Sequence, residues 1–317
     1  VNIEFRIGKT SLETPLIGAS GLFGYGTEYE GLVDYSCFGA VVAKTITPEP
    51  REGNRPERIA DVGCGIINSI GLENVGGPAF FGEVLPAIDI PCGLFVSIGG
   101  ATVDDYRRLA AMAGDRDKVD AIEVNISCPN VKEGGIAFGS DPKSTHRVIS
   151  AVRAETRLPL VAKVPPAVTG IEEICLEACE AGVDALTVAN TYPAMSIDTD
   201  RSKPRLGAVS GGLSGRAIKP MTMLLVWKVS QAVDVPVIAS GGIETAGDAI
   251  EYVLAGASAF EIGSVILRDL AAPSSVIEGL KSYMRSRGYD TLADFRGKAN
   301  RQEAEGGSGS DTGYSGS

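Results

Sequence analysis

Along most of the chain, short runs of apolar or β-branched residues alternate with longer stretches whose apolar positions recur every three or four residues. The short runs have the length and composition of buried strands, and the longer ones those of helices that cover a sheet on one face. The pattern predicts strands at Leu16–Ala19, Ala40–Ala43, Gly93–Ser97, Ala121–Asn125, Leu160–Lys163, Ala185–Ala189, Val237–Ser240 and Ala259–Ile262. Helices are predicted between them, for example at Val103–Ala113, Ser144–Thr156, Gly170–Ala181, Ile218–Ala232 and Ala246–Ala255. Thr245 is placed to cap the last of these and Gly256 to end it in a left-handed turn. Repeated strand–helix units call for a parallel sheet, because parallel neighbours need a crossover between them. Eight such strands predict an α/β fold, a (β/α)8 TIM barrel with insertions at the C-terminal face of the strands.

Two segments break the rhythm. Residues 46–91 and 190–216 are too long and too rich in Gly and Pro for simple connections, and both follow strand ends on the side where barrels build their chemistry. A single domain is expected over residues 1–300. The stretch 301–317 is Gly/Ser-rich and acidic, with too little apolar surface to offset ordering entropy, and is expected to lack fixed structure.

Composition narrows the partners. A net charge of −11 without a local basic patch argues against nucleic acid and anionic membrane surfaces. Residues 1–30 lack the features of a secretory signal, and no apolar run approaches the roughly 20 residues of a membrane span. A cytoplasmic enzyme is the expectation. The six cysteines are scattered without a CxxC pair, which suits reduced thiols, and no metal site is expected. Cys37, Cys64, Cys92, Cys175 and Cys179 read as core fillers. His146 is the one histidine, so a histidine-based triad is excluded, and its helical setting suggests a structural part.

The chemistry-bearing residues sit where strands end. Lys44-Thr45, Asn125 to Asn130, Lys163, Asn190-Thr191, Ser240-Gly241-Gly242 and Gly263-Ser264 all follow predicted strands and converge on one mouth if the barrel forms. Glycines after strands seven and eight let backbone N–H groups approach a phosphate, although ordinary turns use glycine too. Lys44 and Lys163 would be costly to bury unpaired, and so should face an anion or an electron-rich ring unless they form surface ion pairs. The amides Asn68, Asn125, Asn130 and Asn190 supply donors and acceptors for a small ring with amide-like edges, or cap loops. Cys128, followed by Pro129 and a glycine-containing loop, could act as base or nucleophile. With an ordinary thiol pKa of about 8.5 its activity should rise toward alkaline pH.

"GASGLFGYGTEYEGL" (18–32), "KTITPEPREGNRPERI" (44–59), "INSIGLENVG" (67–76), "NISCPNVKEGGIAFGSDP" (125–142), "GGLSGRAIKP" (211–220), "SGGI" (240–243) and "AGASAFEIGS" (255–264) occur in the order found in class I dihydroorotate dehydrogenases. The chain resembles that family over nearly its whole length. The resemblance implies an FMN-binding barrel that oxidises (S)-dihydroorotate to orotate in pyrimidine biosynthesis. "NVKEGG" is similar to the NAD-linked subtype, which implies a homodimer of this chain joined to a partner subunit carrying FAD and a 2Fe–2S cluster, together a heterotetramer. By resemblance, Cys128 is the base at C5 while hydride leaves C6. Lys44, Asn68, Gly71, Leu72, Asn125, Asn130, Asn190 and Thr191 match substrate-contacting positions. Ala19, Ser20, Gly21, Lys44, Thr45, Asn125, Lys163, Ala189, Gly215, Ser240, Gly241, Gly242, Gly263 and Ser264 match FMN-contacting positions.

The sequence departs from the family pattern at "VPPAV" (164–168), where Ala167 replaces an amide, and at "YPAM" (192–195), and both could alter the pocket rim. A dihydropyrimidine dehydrogenase shares barrel, flavin and cysteine with this reading, and a fumarate-linked dihydroorotate dehydrogenase shares the substrate. A Schiff-base lyase using Lys163 is the alternative from another enzyme class.

Overall fold

Eight parallel strands close into a barrel whose order around the ring follows the order along the chain. They are β1 (Leu16–Gly18), β2 (Ala40–Ile46), β3 (Gly93–Ile98), β4 (Ala121–Asn125), β5 (Leu160–Lys163), β6 (Ala185–Val188), β7 (Val237–Ser240) and β8 (Ala259–Ile262). The computed structural model describes residues 1–114, 116–127 and 138–300, so the expectation for the 301–317 tail falls outside the described residues. All eight strands stand where the alternating pattern put them. The largest difference is at β2, which runs on to Ile46 through a register irregularity after Ala43.

Strand periodicity explains the barrel's two faces. Along β4, Ile122 and Val124 point outward into the large core beneath the helices, whereas Ala121 belongs to a separate apolar cluster inside the ring. That inner cluster also holds Ile17, Ala40, Val42, Phe95, Val161, Ala185, Ile238 and Ala259. Phe5, Ile7 and Leu12 join it from an N-terminal hairpin, Phe5–Ile7 against Thr10–Leu12, which plugs the N-terminal end of the barrel. Two residues further along β3 to β8, the same inward parity carries Ser97, Glu123, Lys163, Thr187, Ser240 and Glu261, all buried. The interior thus changes from apolar at the floor to polar toward the C-terminal end.

The outer layer includes α1 (Val103–Ala113), α2 (Pro142–Glu155), α3 (Ile171–Glu180), α4 (Lys219–Ala232), α5 (Ala246–Leu254) and α6 (Ala272–Arg287). Capping boxes start two of them: Thr102 with Asp105 at α1, and Thr245 with Asp248 at α5. Gly256 follows α5 with φ +115°, a positive value that glycine tolerates. No helix among the described residues is long and apolar enough to cross a membrane.

The two insertions combine. Ile59–Asp61 and Ile66–Asn68 from the first pair with Gly211–Ser214 and Tyr192–Ala194 from the second, giving a four-stranded antiparallel sheet. This sheet is absent from the sequence expectation, because its central pairing joins residues more than a hundred positions apart and half of Gly211–Ser214 is glycine. Thr102→Ala removes the side chain that accepts from Asp105 N at the start of α1. Stability should fall by about 1 kcal/mol, read as a lower urea midpoint with an unchanged m-value.

Candidate active site

Strand alternation delivers a continuous hydrogen-bond chain across the C-terminal mouth. Asn190 Nδ2, just past β6, donates to Ser127 Oγ at 2.5 Å. Ser127 Oγ donates to Asn125 Oδ1 at 2.8 Å, and Asn125 Nδ2 donates to Thr45 Oγ1 at 3.1 Å. Thr45 Oγ1 meets Ser97 Oγ at 3.0 Å. The chain therefore joins the ends of β2, β3, β4 and β6 and fixes the orientation of both amides, since each nitrogen has an acceptor and each oxygen a donor. Thr191 N closes it by donating to Asn190 Oδ1 at 2.7 Å. Tyr106 from α1 supports it from outside by donating to Asn125 O at 2.8 Å.

Below this chain lies a buried ion cluster. Lys163 is the register partner of Asn125, and its ammonium lies 2.7 Å from Glu261 Oε2 and 3.4 Å from Glu123 Oε2. Glu261 also accepts from Ser240 Oγ at 2.8 Å and, more weakly, from Thr187 Oγ1 at 3.5 Å. Burial alone would lower the Lys163 pKa, but attraction to Glu123 and Glu261 outweighs it and holds the ammonium above its ordinary value. Burial pushes the Glu123 carboxyl up to about 7, against the pull of Lys163 and with the repulsion of Glu261 adding to the rise. The sequence pointed Lys163 toward an external anion or ring; the structure gives it two carboxylates of its own. Glu123 and Glu261 were not singled out from the sequence, although a glutamate at inward parity in "AIEVN" and in "AFEI" was the available signal.

The rim is made of looser groups. Lys44 is half-buried, with its ammonium 5.6 Å from the Tyr25 ring centroid and its backbone N–H bonded to Gly24 O at 2.6 Å. Asn68 stands in the insertion sheet opposite Gly212 and donates to its carbonyl at 3.3 Å. Gly71 and Leu72 follow in a loop where both have positive φ, +78° and +56°, an uncommon conformation for leucine. Asn74, buried beside them, ties that loop to Thr47. On the opposite side, Ser20 Oγ reaches Ala43 O at 3.4 Å, Gly21 is exposed, and Ala19 lies beside Gly263. Ala189 is buried between Val188 and the Asn190 amide.

Glycines line a third region. A methyl group on Gly242 would approach Lys219 N at 2.9 Å and Gly215 O at 3.0 Å, and one on Gly215 would meet Gly65 Cα at 3.0 Å and Ser264 Oγ at 3.5 Å. The loops after β7 and β8 and the entry to α4 therefore meet at Gly215, Gly242 and Ser264. Tyr252 of α5 fixes the same place by donating to Gly241 O at 2.7 Å. This is the location and backbone character of a barrel phosphate site.

Cys128 and Asn130 lie outside the described residues. Among the other cysteines, Cys64 corrects the core-filler reading: it is exposed in the turn between two strands of the insertion sheet, while Cys37 and Cys175 are buried. His146 sits on the outer helix layer, its Nδ1 3.0 Å from Glu177 Oε2. A cavity of about 350 Å³ opens at the N-terminal end of the barrel beside Lys9, Arg153, Arg157 and Asp184. Arg153 is already committed there to Asp184 and to the carbonyls of Thr156 and Leu158, a structural clamp far from the mouth.

Known proteins place this geometry in a family. A family model described as dihydroorotate dehydrogenase matches residues 3–284. A protein of Desulforudis audaxviator named dihydroorotate dehydrogenase B (NAD(+)), catalytic subunit, is 46% identical over 304 residues, covering 95% of this chain and 98% of that protein. Proteins of the same name from Trichlorobacter lovleyi and Bacteroides thetaiotaomicron are 44% and 40% identical over 297 residues, each covering 93% of this chain and 97% and 98% of theirs. Among solved structures, the crystal structure of DHODH in complex with ferulenol from Eimeria tenella matches with a TM-score of 0.81 at 26% identity, covering 95% of this chain and 89% of that one. Matched from the first barrel strand to the last helix, and similar to its relatives over almost their full length, this chain belongs to the dihydroorotate dehydrogenase family.

Proposed function

We propose that this chain is the catalytic subunit of an NAD-linked dihydroorotate dehydrogenase, oxidising (S)-dihydroorotate to orotate in pyrimidine biosynthesis with FMN as the immediate acceptor. The observation that carries the reading is the oriented amide chain Asn190–Ser127–Asn125–Thr45 at the mouth of a barrel of this family. A planar ring with imide-type edges and a carboxylate needs donors and acceptors held in fixed directions, and a cation near the rim.

The residues present fit FMN. At Gly242 an added methyl would press on Lys219 N and Gly215 O, and at Gly215 on Gly65 Cα, so these loops pack closely only with bare backbone, and both glycines adopt positive φ, +71° and +99°. Gly215, Gly241, Gly242, Gly263 and Ser264 would hold the phosphate. Ala19, Ser20, Gly21, Lys44, Thr45, Asn125, Lys163, Ala189 and Ser240 would border the rest of the cofactor. Bound FMN supplies the two-electron acceptor for the hydride that leaves C6.

The chain's own residues do the remainder. Lys44, Asn68, Gly71, Leu72, Asn125, Asn130, Asn190 and Thr191 bind and orient the substrate. Cys128, as thiolate, takes the proton from C5. The NAD-linked assignment follows the names of the relatives, and the partner it calls for is a subunit bearing FAD and a 2Fe–2S cluster, bound to a homodimer of this chain in a heterotetramer. The cytoplasm is the compartment expected of such an assembly.

Two tests follow. Anaerobic mixing of the purified yellow protein with dihydroorotate should bleach its flavin absorbance, and Cys128→Ser should slow that bleaching by roughly 10²- to 10⁴-fold, the usual worth of a positioned base. The wild-type rate should climb with pH toward the ordinary thiol pKa of about 8.5, and the serine variant should lose that inflection. Equal rates in both proteins remove Cys128 from the mechanism, and reduction by dihydrouracil instead of dihydroorotate reassigns the substrate. Separately, Gly242→Ala, whose methyl would displace the Lys219 and Gly215 backbone, should weaken flavin retention about tenfold or more, roughly 1.4 kcal/mol, as measured by fluorescence titration of the stripped protein, with a lowered thermal midpoint.

A further inference from the structure

The cluster beneath the mouth is not symmetric. Glu261 receives the Lys163 ammonium at 2.7 Å and the Ser240 hydroxyl at 2.8 Å on one oxygen, with Thr187 facing the other at 3.5 Å. Glu123 receives Lys163 only at 3.4 Å, and its Oε1 is buried without a hydrogen-bond partner. Ser97 Oγ meets Thr45 Oγ1 at 3.0 Å, and its hydroxyl is the weakest influence on Glu123, drawing the pKa down against the larger effect of burial. A buried ionised carboxylate with an unsatisfied oxygen is far costlier than one supplied with donors. Two carboxyl groups sharing one ammonium in a closed interior do not both ionise at little cost.

We propose that Lys163, Glu261 and Glu123 form one charge unit in which Glu261 is the anion that fixes the ammonium and Glu123 is the member that carries a proton. Glu123 and Glu261 are then positioning residues for the oxidation: they hold Lys163 charged and stationary below the bound ring and set the net charge there. The unit is neutral while Glu123 keeps its proton and carries one negative charge once the proton leaves. The ionisable groups facing Glu123 inside the ring are Lys163 from β5 and Glu261 from β8, with the Ser97, Thr187 and Ser240 hydroxyls completing the layer; Lys44 stands at the rim beside Tyr25. The shift of Glu123 up to about 7 agrees with this division. A carboxyl whose folded pKa is raised supports folding below its ordinary value of 4.5, and that contribution is lost as pH rises to about 7.

The inference rests on the flavin reading, and its test separates the two. Infrared spectra of the purified wild-type protein should show a protonated-carboxyl band at pH 6 that disappears by pH 8, and Glu123→Gln should lack it. The flavin potential, measured by dye equilibration, should match wild type in Glu123→Gln at pH 6. At pH 8 it should be more positive, because the wild-type unit then holds an extra anion under the electron-rich reduced ring. A tenfold change in the reduction equilibrium corresponds to about 30 mV for a two-electron couple. Absence of the band from wild type at pH 6, which needs no variant to observe, overturns the proposal. So does a band that survives in Glu123→Gln, or a potential displaced equally at both pH values. A wild-type protein that binds no flavin sinks the functional reading instead, and the infrared result alone then decides the charge assignment.

Discussion

Lys163 ends a strand whose previous inward residue, Val161, packs into the apolar floor of the barrel, and its ammonium stays charged at that depth because Glu261 lies 2.7 Å away. Removing Lys163 strips the buried Glu261 of its counter-charge, a loss of several kcal/mol, whereas the intact pair roughly breaks even against an apolar replacement. Such an interaction contributes little net stability and a great deal of definition. It fixes β5 against β8 across the ring, and Asn125, opposite Lys163 in the β4–β5 register, carries the amide chain beside it. Along β4 the inward residues Ala121, Glu123 and Asn125 pass in turn from the apolar floor to the ion cluster to the amide chain, so this strand sets the spacing of all three.

The mouth also depends on segments that belong to no barrel strand. Asn68 reaches its place because Ile66–Asn68 pairs with Gly211–Ser214, and Gly212 tolerates that pairing only without a side chain, since an added methyl would collide with Thr191. The insertions after β2 and β6 therefore build one wall together. The departures from family pattern at residues 192–195 fall inside this sheet, where Tyr192 pairs with Leu213 and Pro193 with Gly212, so they change the wall and leave the ion cluster untouched. The substitution at Ala167 lies in an exposed position past β5 and has no explanation in the structure.

How far this was readable in advance follows from the range of each interaction. The barrel strands were legible because each is a short apolar or β-branched run buried on both faces, a signal contained within a few residues such as Val237–Ser240. The five helices named from the pattern were legible from caps and periodicity. α6 was passed over, although Ala272, Val276, Ile277, Leu280 and Met284 mark its buried face. The insertion sheet and the N-terminal plug were not legible, because short strands such as Phe5–Ile7 carry too few residues to show a period. At the site, polar strand ends announced a mouth, and the family resemblance supplied residue roles. The pairing of Lys163 with Glu261, 98 positions away, had no local signature. A charged residue inside an apolar strand was the one clue, and it marks a group that must find its partner elsewhere in the fold.

Charge at the mouth is divided between two lysines with different work. The chain carries a net charge of −11, so an anionic substrate meets a repulsive field at long range. At physiological ionic strength that field is screened beyond about 8 Å, which leaves capture to the cations within reach of the mouth. Lys163 cannot serve as a free cation, since its charge is already balanced by Glu261. Lys44 lies against the face of Tyr25 at 5.6 Å, a weak contact, and under the proposed function it is the cation that meets an incoming carboxylate. Tyr25 is in turn held by the Val75 N–H at 3.0 Å, so the rim lysine is placed by the same loop that carries Gly71 and Leu72. Under the proposed function, an acidic protein receives an acidic ligand because the compensated lysine is kept below and the rim lysine is kept at the edge.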